Sequence, residues 1–151
     1  MPYSVSIRHN FETAHRLSHP DAPTKCQSIH GHSWWATVWI EGDTLDEGGM
    51  LVEFGALKRS WRALLDDELD HHLVVQRGDP VIDALKQLMP SMRIQVFDDD
   101  PTTEHMARWI FERTCQLLAQ LEGTKKDLRV AKVHIQETAV NAAEYVVTRQ
   151  G

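Results

Sequence analysis

Over residues 5–15 apolar and polar side chains alternate, so that Val5, Ile7, His9, Phe11, Thr13 and His15 fall on one face of an extended segment. Residues 33–41 repeat the alternation with aromatic and β-branched types, and His32, Trp34, Ala36, Val38 and Ile40 share a face. Both segments are predicted to be strands with one buried side. Gly42-Asp43 and Gly48-Gly49 bracket a connection, after which residues 50–54 read as the returning strand of a hairpin. The period then lengthens to that of a helix, with Leu57, Trp61, Leu64, Leu65 and Leu69 in one stripe over residues 55–69. Asp79-Pro80 has the pattern of a helix start and leads into Val81, Ile82, Leu85, Leu88 and Met89, a short stripe that Pro90 stops. Residues 93–97 fit a short strand. A second long helix is predicted to open at Pro101-Thr102-Thr103-Glu104, where hydroxyls and a carboxylate suit the positive helix end, and to close at Gly123. Residues 129–137 and 142–148 read as two strands joined by a turn near Ala139-Val140-Asn141, with Val133, Ile135 and Glu137 on one face. The order of elements predicts an α+β fold, an antiparallel sheet with two long helices on one face.

A chain of 151 residues with 42% hydrophobic content suits one compact domain over residues 1–151 with a real core. It has no apolar run long enough to cross a bilayer, and its start lacks the basic-then-apolar layout of a signal peptide, so a soluble, cytoplasmic protein without a membrane partner is expected. The net charge of -6 disfavours a nucleic-acid surface, which needs clustered Lys and Arg. The two cysteines sit in unlike contexts and give no support to a disulfide framework. Cys115 lies on the Phe111/Leu118 side of the second long helix and is predicted to pack in the core.

Against this background the nine histidines change the picture. His30 and His32 stand two apart in an extended segment and point the same way, and His15 closes the earlier strand. Three neutral imidazoles suit zinc and leave its fourth tetrahedral position free for water or substrate. Residues 17–25, with Pro20 and Pro23, form a loop that brings the chain from His15 round to Cys26. Cys26 has three readings: a fourth zinc ligand that closes the site, a catalytic thiolate, or a small core residue. Asp70-His71 is either a polar helix end or a carboxylate that orients a proton-transferring imidazole, with His72 as the exposed neighbour. Glu137 ends an apolar strand face, where a carboxylate requires a paired donor. His9, His19, His105 and His134 have no spacing that ties them to this set and are assigned surface or packing roles. Trp34, Trp35, Trp39, Trp61 and Trp109 fit core or subunit-contact positions.

Taken together these residues resemble the 6-pyruvoyltetrahydropterin synthase and 6-carboxytetrahydropterin synthase family. Phe11-Glu12-Thr13-Ala14-His15 is similar to the block ending in the first zinc histidine, and residues 26–32 to the block with the catalytic cysteine and the other two ligands. Met50-Leu51-Val52-Glu53-Phe54 with Leu57-Lys58, Leu69-Asp70-His71-His72, Pro101-Thr102-Thr103-Glu104 and Gln136-Glu137-Thr138 resemble further blocks in the family's order. The three-residue gap Gln27-Ser28-Ile29 between Cys26 and His30 resembles the bacterial 6-carboxytetrahydropterin synthases of queuosine biosynthesis. Three features depart from the pattern: Glu53 in place of the usual aspartate, Leu73-Val74-Val75 after the relay block, and a longer connection over residues 76–100.

The resemblance implies a tunnelling fold, in which four-stranded antiparallel sheets of several subunits join into a barrel. It also implies a homohexamer of two trimers with active sites at subunit interfaces. The implied substrate is 7,8-dihydroneopterin triphosphate and the implied product 6-carboxy-5,6,7,8-tetrahydropterin, with release of acetaldehyde and triphosphate. His15, His30 and His32 would hold Zn2+, Cys26 would remove a carbon-bound proton, and His71 held by Asp70 would relay protons. Glu137 would anchor the pterin, with Thr102, Thr103 and Glu104 completing its pocket. Two other outcomes follow from the same residues: a 6-pyruvoyltetrahydropterin synthase that does not cleave the side chain, and a zinc-stabilised binding module without chemistry. A metal-dependent hydrolase is the weakest reading, because no acidic residue is spaced with His30 and His32 to activate water.

Overall fold

In the computed structural model, which describes residues 2–121 and 127–148, two long strands form the spine of the sheet. β1 (Tyr3–His15) and β2 (His30–Gly42) pair antiparallel throughout, from Tyr3 opposite Gly42 to His15 opposite His30. Ile7, Phe11, Thr13 and His15 of β1 and Trp34, Ala36, Val38 and Ile40 of β2 are buried, as the alternation predicts. A slip of one residue would turn Phe11 and Trp34 towards water, so burial fixes the register. β5 (Arg129–Gln136) pairs antiparallel with β2, and β6 (Ala142–Val146) pairs with β5 at the sheet edge.

α2 (Phe54–Glu68) and α4 (Thr103–Gln120) cover one face of the sheet. Leu57, Trp61 and Leu65 from α2 and Met106 and Ile110 from α4 share one core with Phe11, Trp34, Ala36 and Val133. Trp61 and Thr114 are fully buried, and the indole N–H of Trp61 donates to Thr114 Oγ1 at 3.0 Å. Replacing Thr114 by the similarly shaped valine leaves that N–H without its acceptor. Thr114→Val is therefore expected to lower the unfolding free energy by about 1–3 kcal/mol. Urea denaturation measures it, and an unchanged midpoint would show that Trp61 finds another acceptor.

The antiparallel, four-stranded expectation needs correction, because the sheet has six strands in the order β4-β3-β1-β2-β5-β6 and is mixed. β3 (Leu73–Gln76) runs parallel to β1, and β4 (Ile94–Phe97) runs parallel to β3, with α3 (Val81–Leu88) between them in sequence. Leu73, Val74 and Val75 are all buried, so β3 has no polar face to reveal it by alternation. Residues 50–54 are not a strand. The Glu53 carboxylate accepts the Gly55 and Ala56 N–H groups at 2.7 and 2.8 Å, caps α2 and turns the chain into a helix at Phe54. The Ala56 and Gly55 bonds hold its pKa below the usual carboxylate range. Within the loop expected over residues 17–25, a four-residue helix begins: α1 (Thr24–Gln27), which carries Cys26. Cys115 is exposed rather than packed, since the buried stripe of α4 runs through Ile110, Phe111, Thr114 and Leu118 and passes beside it. The predicted closing residue of α4, Gly123, lies outside the described residues. Among the described residues no helix is long and apolar enough to cross a membrane.

Candidate functional site

The β1–β2 ladder delivers the three histidines. His15 lies opposite His30 and Thr13 opposite His32, so all three imidazoles emerge on the same face at one end of the sheet. Their ring centroids are 4.5, 5.2 and 5.1 Å apart, and one nitrogen from each lies within 4.8 Å of the others. Backbone carbonyls fix two of the tautomers. His15 Nδ1 is 2.7 Å from Pro101 O and His30 Nδ1 is 2.7 Å from Ser28 O. A carbonyl can only accept, so Nδ1 carries the proton in both rings and Nε2 keeps its lone pair. Trp34 sets its ring edge-on to His15 and His32 at 5.1 and 5.3 Å and forms an apolar wall behind them.

His15 Nε2 and His32 Nε2 are buried and have no hydrogen-bond partner among the described residues. Desolvation by burial pushes the pKa of both rings below 6.5 and favours their neutral form. For His15 the bond to Pro101 opposes this, and for His32 the nearby Glu137 charge does. Converging neutral nitrogens with no hydrogen to bind are costly in an empty pocket and are the donor set that a divalent metal accepts. The carbonyls on the far side of His15 and His30 fix the orientation of both rings. The three histidines thus fit a metal ion, and a nitrogen-only set with a position to spare suits zinc.

Cys26 is not part of this ligand-distance group among the described residues. Instead its thiol lines a cavity of about 180 Å³ together with His15, His30, Thr102, Thr103, Glu104 and Glu137. The fold has therefore gathered seven of the ten site residues singled out in the sequence around one space, His32 being joined to them through the histidine cluster. Glu137 reaches across the space: its Oε2 accepts from Thr103 Oγ1, and its Oε1 is 3.7 Å from His32 Nε2. No carboxylate is spaced with His30 and His32 in sequence, yet the fold brings this one beside them. Thr102 caps α4 by accepting the His105 N–H at 3.1 Å, so its hydroxyl is engaged in helix formation while it lines the cavity.

Asp70 and His71 form a separate constellation. Asp70 Oδ1 accepts the Glu12 N–H at 2.8 Å and Oδ2 faces His71 Nδ1 at 2.7 Å, leaving Nε2 of that ring directed outward. Burial pushes the Asp70 pKa up, but the Glu12 N–H and His71 together outweigh it and hold the carboxyl below its usual range. His71 is the one non-glycine with positive φ among the described residues, at 55°, and is held there by its own N–H to Glu12 O at 2.7 Å. A left-handed backbone at such a residue costs on the order of 1–3 kcal/mol and is kept only where the surroundings impose it. The expected order of exposure is reversed: the His71 side chain is 70% exposed, whereas His72 is half-buried with Nδ1 2.9 Å from Asp70 O. His71 opens on a cavity of about 510 Å³ whose strand lining includes Glu12, Ala14, Gly31 and Ser33 and also Thr13 and His32. Within one chain His71 and Cys26 thus line different cavities.

The other histidines keep the roles expected of them. His9 pairs with Asp66 at 2.7 Å and His134 with Glu144 at 2.9 Å, while His19 accepts the Asp21 N–H and His105 Nδ1 donates to Asp100 O. Of the basic residues near the motifs, Arg16 is 2.8 Å from the buried Asp79 and Lys58 lies over the Phe54 ring, while Lys25 is exposed beside Cys26. The sequence did not point to Pro101 O, which sets the His15 tautomer, or to Asp100, whose carboxylate binds the loop before Cys26. A backbone carbonyl has no signature in a residue pattern, and Asp100 read only as part of an acidic run.

Known proteins share this arrangement of chain. The 6-carboxy-5,6,7,8-tetrahydropterin synthase of Aquifex aeolicus is 28% identical over 161 residues, covering 96% of this chain and 98% of its own. The enzyme of the same name from Synechocystis is 30% identical over 144 residues, covering 93% and 90%. Among solved structures, an uncharacterised protein of Wolinella succinogenes superposes with a TM-score of 0.75 at 20% identity, covering 97% of this chain and 98% of that one. The 6-pyruvoyl tetrahydropterin synthase of Caenorhabditis elegans gives 0.67 at 22% identity, covering 98% and 97%. These structures show the fold, an α+β tunnelling fold. A sequence model of the 6-pyruvoyl tetrahydropterin synthase family matches residues 4–147, a span that holds the three histidines, Cys26, Asp70-His71 and Glu137, and the chain belongs to that family of lyase-type enzymes.

Proposed function

We propose that the protein converts 7,8-dihydroneopterin triphosphate to 6-carboxy-5,6,7,8-tetrahydropterin with release of acetaldehyde and triphosphate, as a zinc enzyme of queuosine biosynthesis. One observation carries the reading: a thiol, a carboxylate and two imidazoles of a three-histidine cluster line one small cavity, and His15 Nε2 and His32 Nε2 of that cluster are buried without a hydrogen-bond partner among the described residues. The names of the Aquifex and Synechocystis relatives favour the carboxy product, and so does the three-residue gap between Cys26 and His30.

His15, His30 and His32 hold the metal, which when bound polarises the side-chain hydroxyls of the substrate and makes the adjacent carbon-bound proton more acidic. Cys26 removes that proton as its thiolate. Glu137 accepts hydrogen bonds from ring N–H groups of the pterin, a pairing in which both carboxylate oxygens can engage. Thr103, already bonded to Glu137, fixes the orientation of that carboxylate, and Thr102 and Glu104 complete the wall. His71 relays the proton through its outward nitrogen, with Asp70 holding the ring in one tautomer. Because His71 and Cys26 line different cavities of one chain, a second copy would supply the relay. A hexamer of two trimers with active sites between subunits provides such copies.

The test is to incubate the zinc-loaded protein with 7,8-dihydroneopterin triphosphate and identify products by mass. 6-Carboxytetrahydropterin with stoichiometric acetaldehyde is expected. A pyruvoyl product without acetaldehyde would move the protein to the other branch of the family, and no product would leave a zinc-stabilised binding module.

A further inference from the structure

The loop from His15 to α1 carries Cys26 back to the cavity, and bonds of its own close it at both ends. Gln27 Nε2 donates to Ala22 O at 2.7 Å, and Leu17 N–H donates to Cys26 O at 2.8 Å. The root of the loop is tied to another segment as well. Asp100 Oδ1 accepts the Ser18 N–H at 2.8 Å, and Oδ2 accepts the His19 N–H at 3.0 Å. Ser18 Oγ lies 2.9 Å from Asp100 Oδ1 and 3.0 Å from Gln76 Oε1, one proton between two acceptors. Arg16 Nε stands 2.8 Å from Asp79 Oδ2, and the Asp79 side chain is wholly buried with Oδ1 accepting the Val81 N–H at 3.0 Å. Gln76, Asp79 and Asp100 all belong to the long connection over residues 76–100, no residue of which lines the Cys26 cavity.

We propose that the 76–100 connection is a brace that sets the position of Cys26, with Asp100 and Ser18 as its positioning residues and the Arg16–Asp79 pair as a second tie. The proposal rests on Cys26 being the group that removes the substrate proton. A tie that served only stability would, when cut, leave the folded enzyme turning over normally. A tie that positions the thiol leaves substrate anchoring at Glu137 intact and slows the proton transfer, since a displacement near 1 Å costs on the order of 10²-fold in rate.

The experiment uses zinc-loaded full-length protein carrying Cys115→Ser, so that Cys26 is the remaining thiol, with Ser18→Ala and Asp100→Asn added singly and together. In each single variant kcat for 7,8-dihydroneopterin triphosphate is expected to fall about 10- to 100-fold with KM within about twofold. Metal content stays the same, and the rate of Cys26 alkylation by iodoacetamide changes at least about threefold, because the thiol is held differently. The double variant is expected to be no worse than the poorer single one, as both cut the same tie. Wild-type kcat and alkylation rate in the folded single variants would overturn the brace. Should Asp100→Asn fail to fold, Ser18→Ala decides alone, for it removes one half-buried hydroxyl. Cys26→Ala run alongside separates the two levels. Activity surviving in it removes the role of Cys26 and leaves the alkylation rate to judge the brace, whereas an inactive Cys26→Ala with fully active Ser18→Ala and Asp100→Asn removes the brace alone.

Discussion

Cys26→Ala is expected to lose at least about 10³-fold in turnover of 7,8-dihydroneopterin triphosphate while keeping its full complement of zinc. The separation of the two effects follows from geometry. The thiol lines the cavity with His15, His30 and Glu137, but the group of atoms close enough to share a metal is made of the three histidines. A base removed from such a site leaves the metal in place. Turnover and zinc by mass spectrometry on the same sample check this, and a variant that loses zinc in proportion to activity would make Cys26 a ligand and close the site.

His30→Ala is expected to abolish both metal retention and turnover, bringing zinc below about one-tenth of the wild-type content after dialysis, since two imidazoles alone hold a divalent ion weakly. The fold should tolerate the change, because His30 is half-exposed at the start of β2 whereas His15 is buried. Stoichiometric zinc in folded His30→Ala would sink the three-histidine assignment. The pH dependence of the wild type adds a sign. Burial holds His15 and His32 below 6.5, so at pH 6.5, where a free imidazole is half protonated, each is more than half neutral and metal binding is expected to release fewer protons than it would from free imidazoles. In the metal-free protein the same shift makes stability fall as the pH drops from 6.5 towards the lowered values, because the unfolded chain takes up those protons first.

How much of this was legible in the residues depended on how many sides of each element are covered. β1, β2, α2, α4, β5 and β6 each have a covered and an open side, and their periods showed in the sequence. β3 is buried throughout as Leu73-Val74-Val75, and α1 is a single turn, so neither shows a period. Glu53 misled for a different reason: it follows an apolar stretch that reads as a strand, yet its carboxylate has two helix N–H groups to satisfy. In the site, side chains with distinctive chemistry were readable from spacing or from the family's blocks, and the fold gathers His15, Cys26, His30, Thr103 and Glu137. Asp70 and His71 were equally visible, but a sequence does not say which cavity a pair serves. The supports Asp100, Ser18 and Pro101 O remained unread because ordinary polar loop groups acquire meaning only from what they touch.

The bond from His15 Nδ1 to Pro101 O joins residues 86 apart, whereas the three clustered histidines lie on two strands that are neighbours in sequence. Loop closure makes the β1–β2 pair accessible early in folding and the docking of α4 a later, longer-range event. A growing chain can thus present three imidazoles before anything dictates which nitrogen of His15 carries the proton. On this order the site matures in two stages, first collecting its histidines and then, when the start of α4 arrives, committing His15 to one orientation. Metal captured in the first stage would be held loosely and exchange freely, and the start of α4 acts as the latch that turns a hairpin with affinity into a centre with a defined shape.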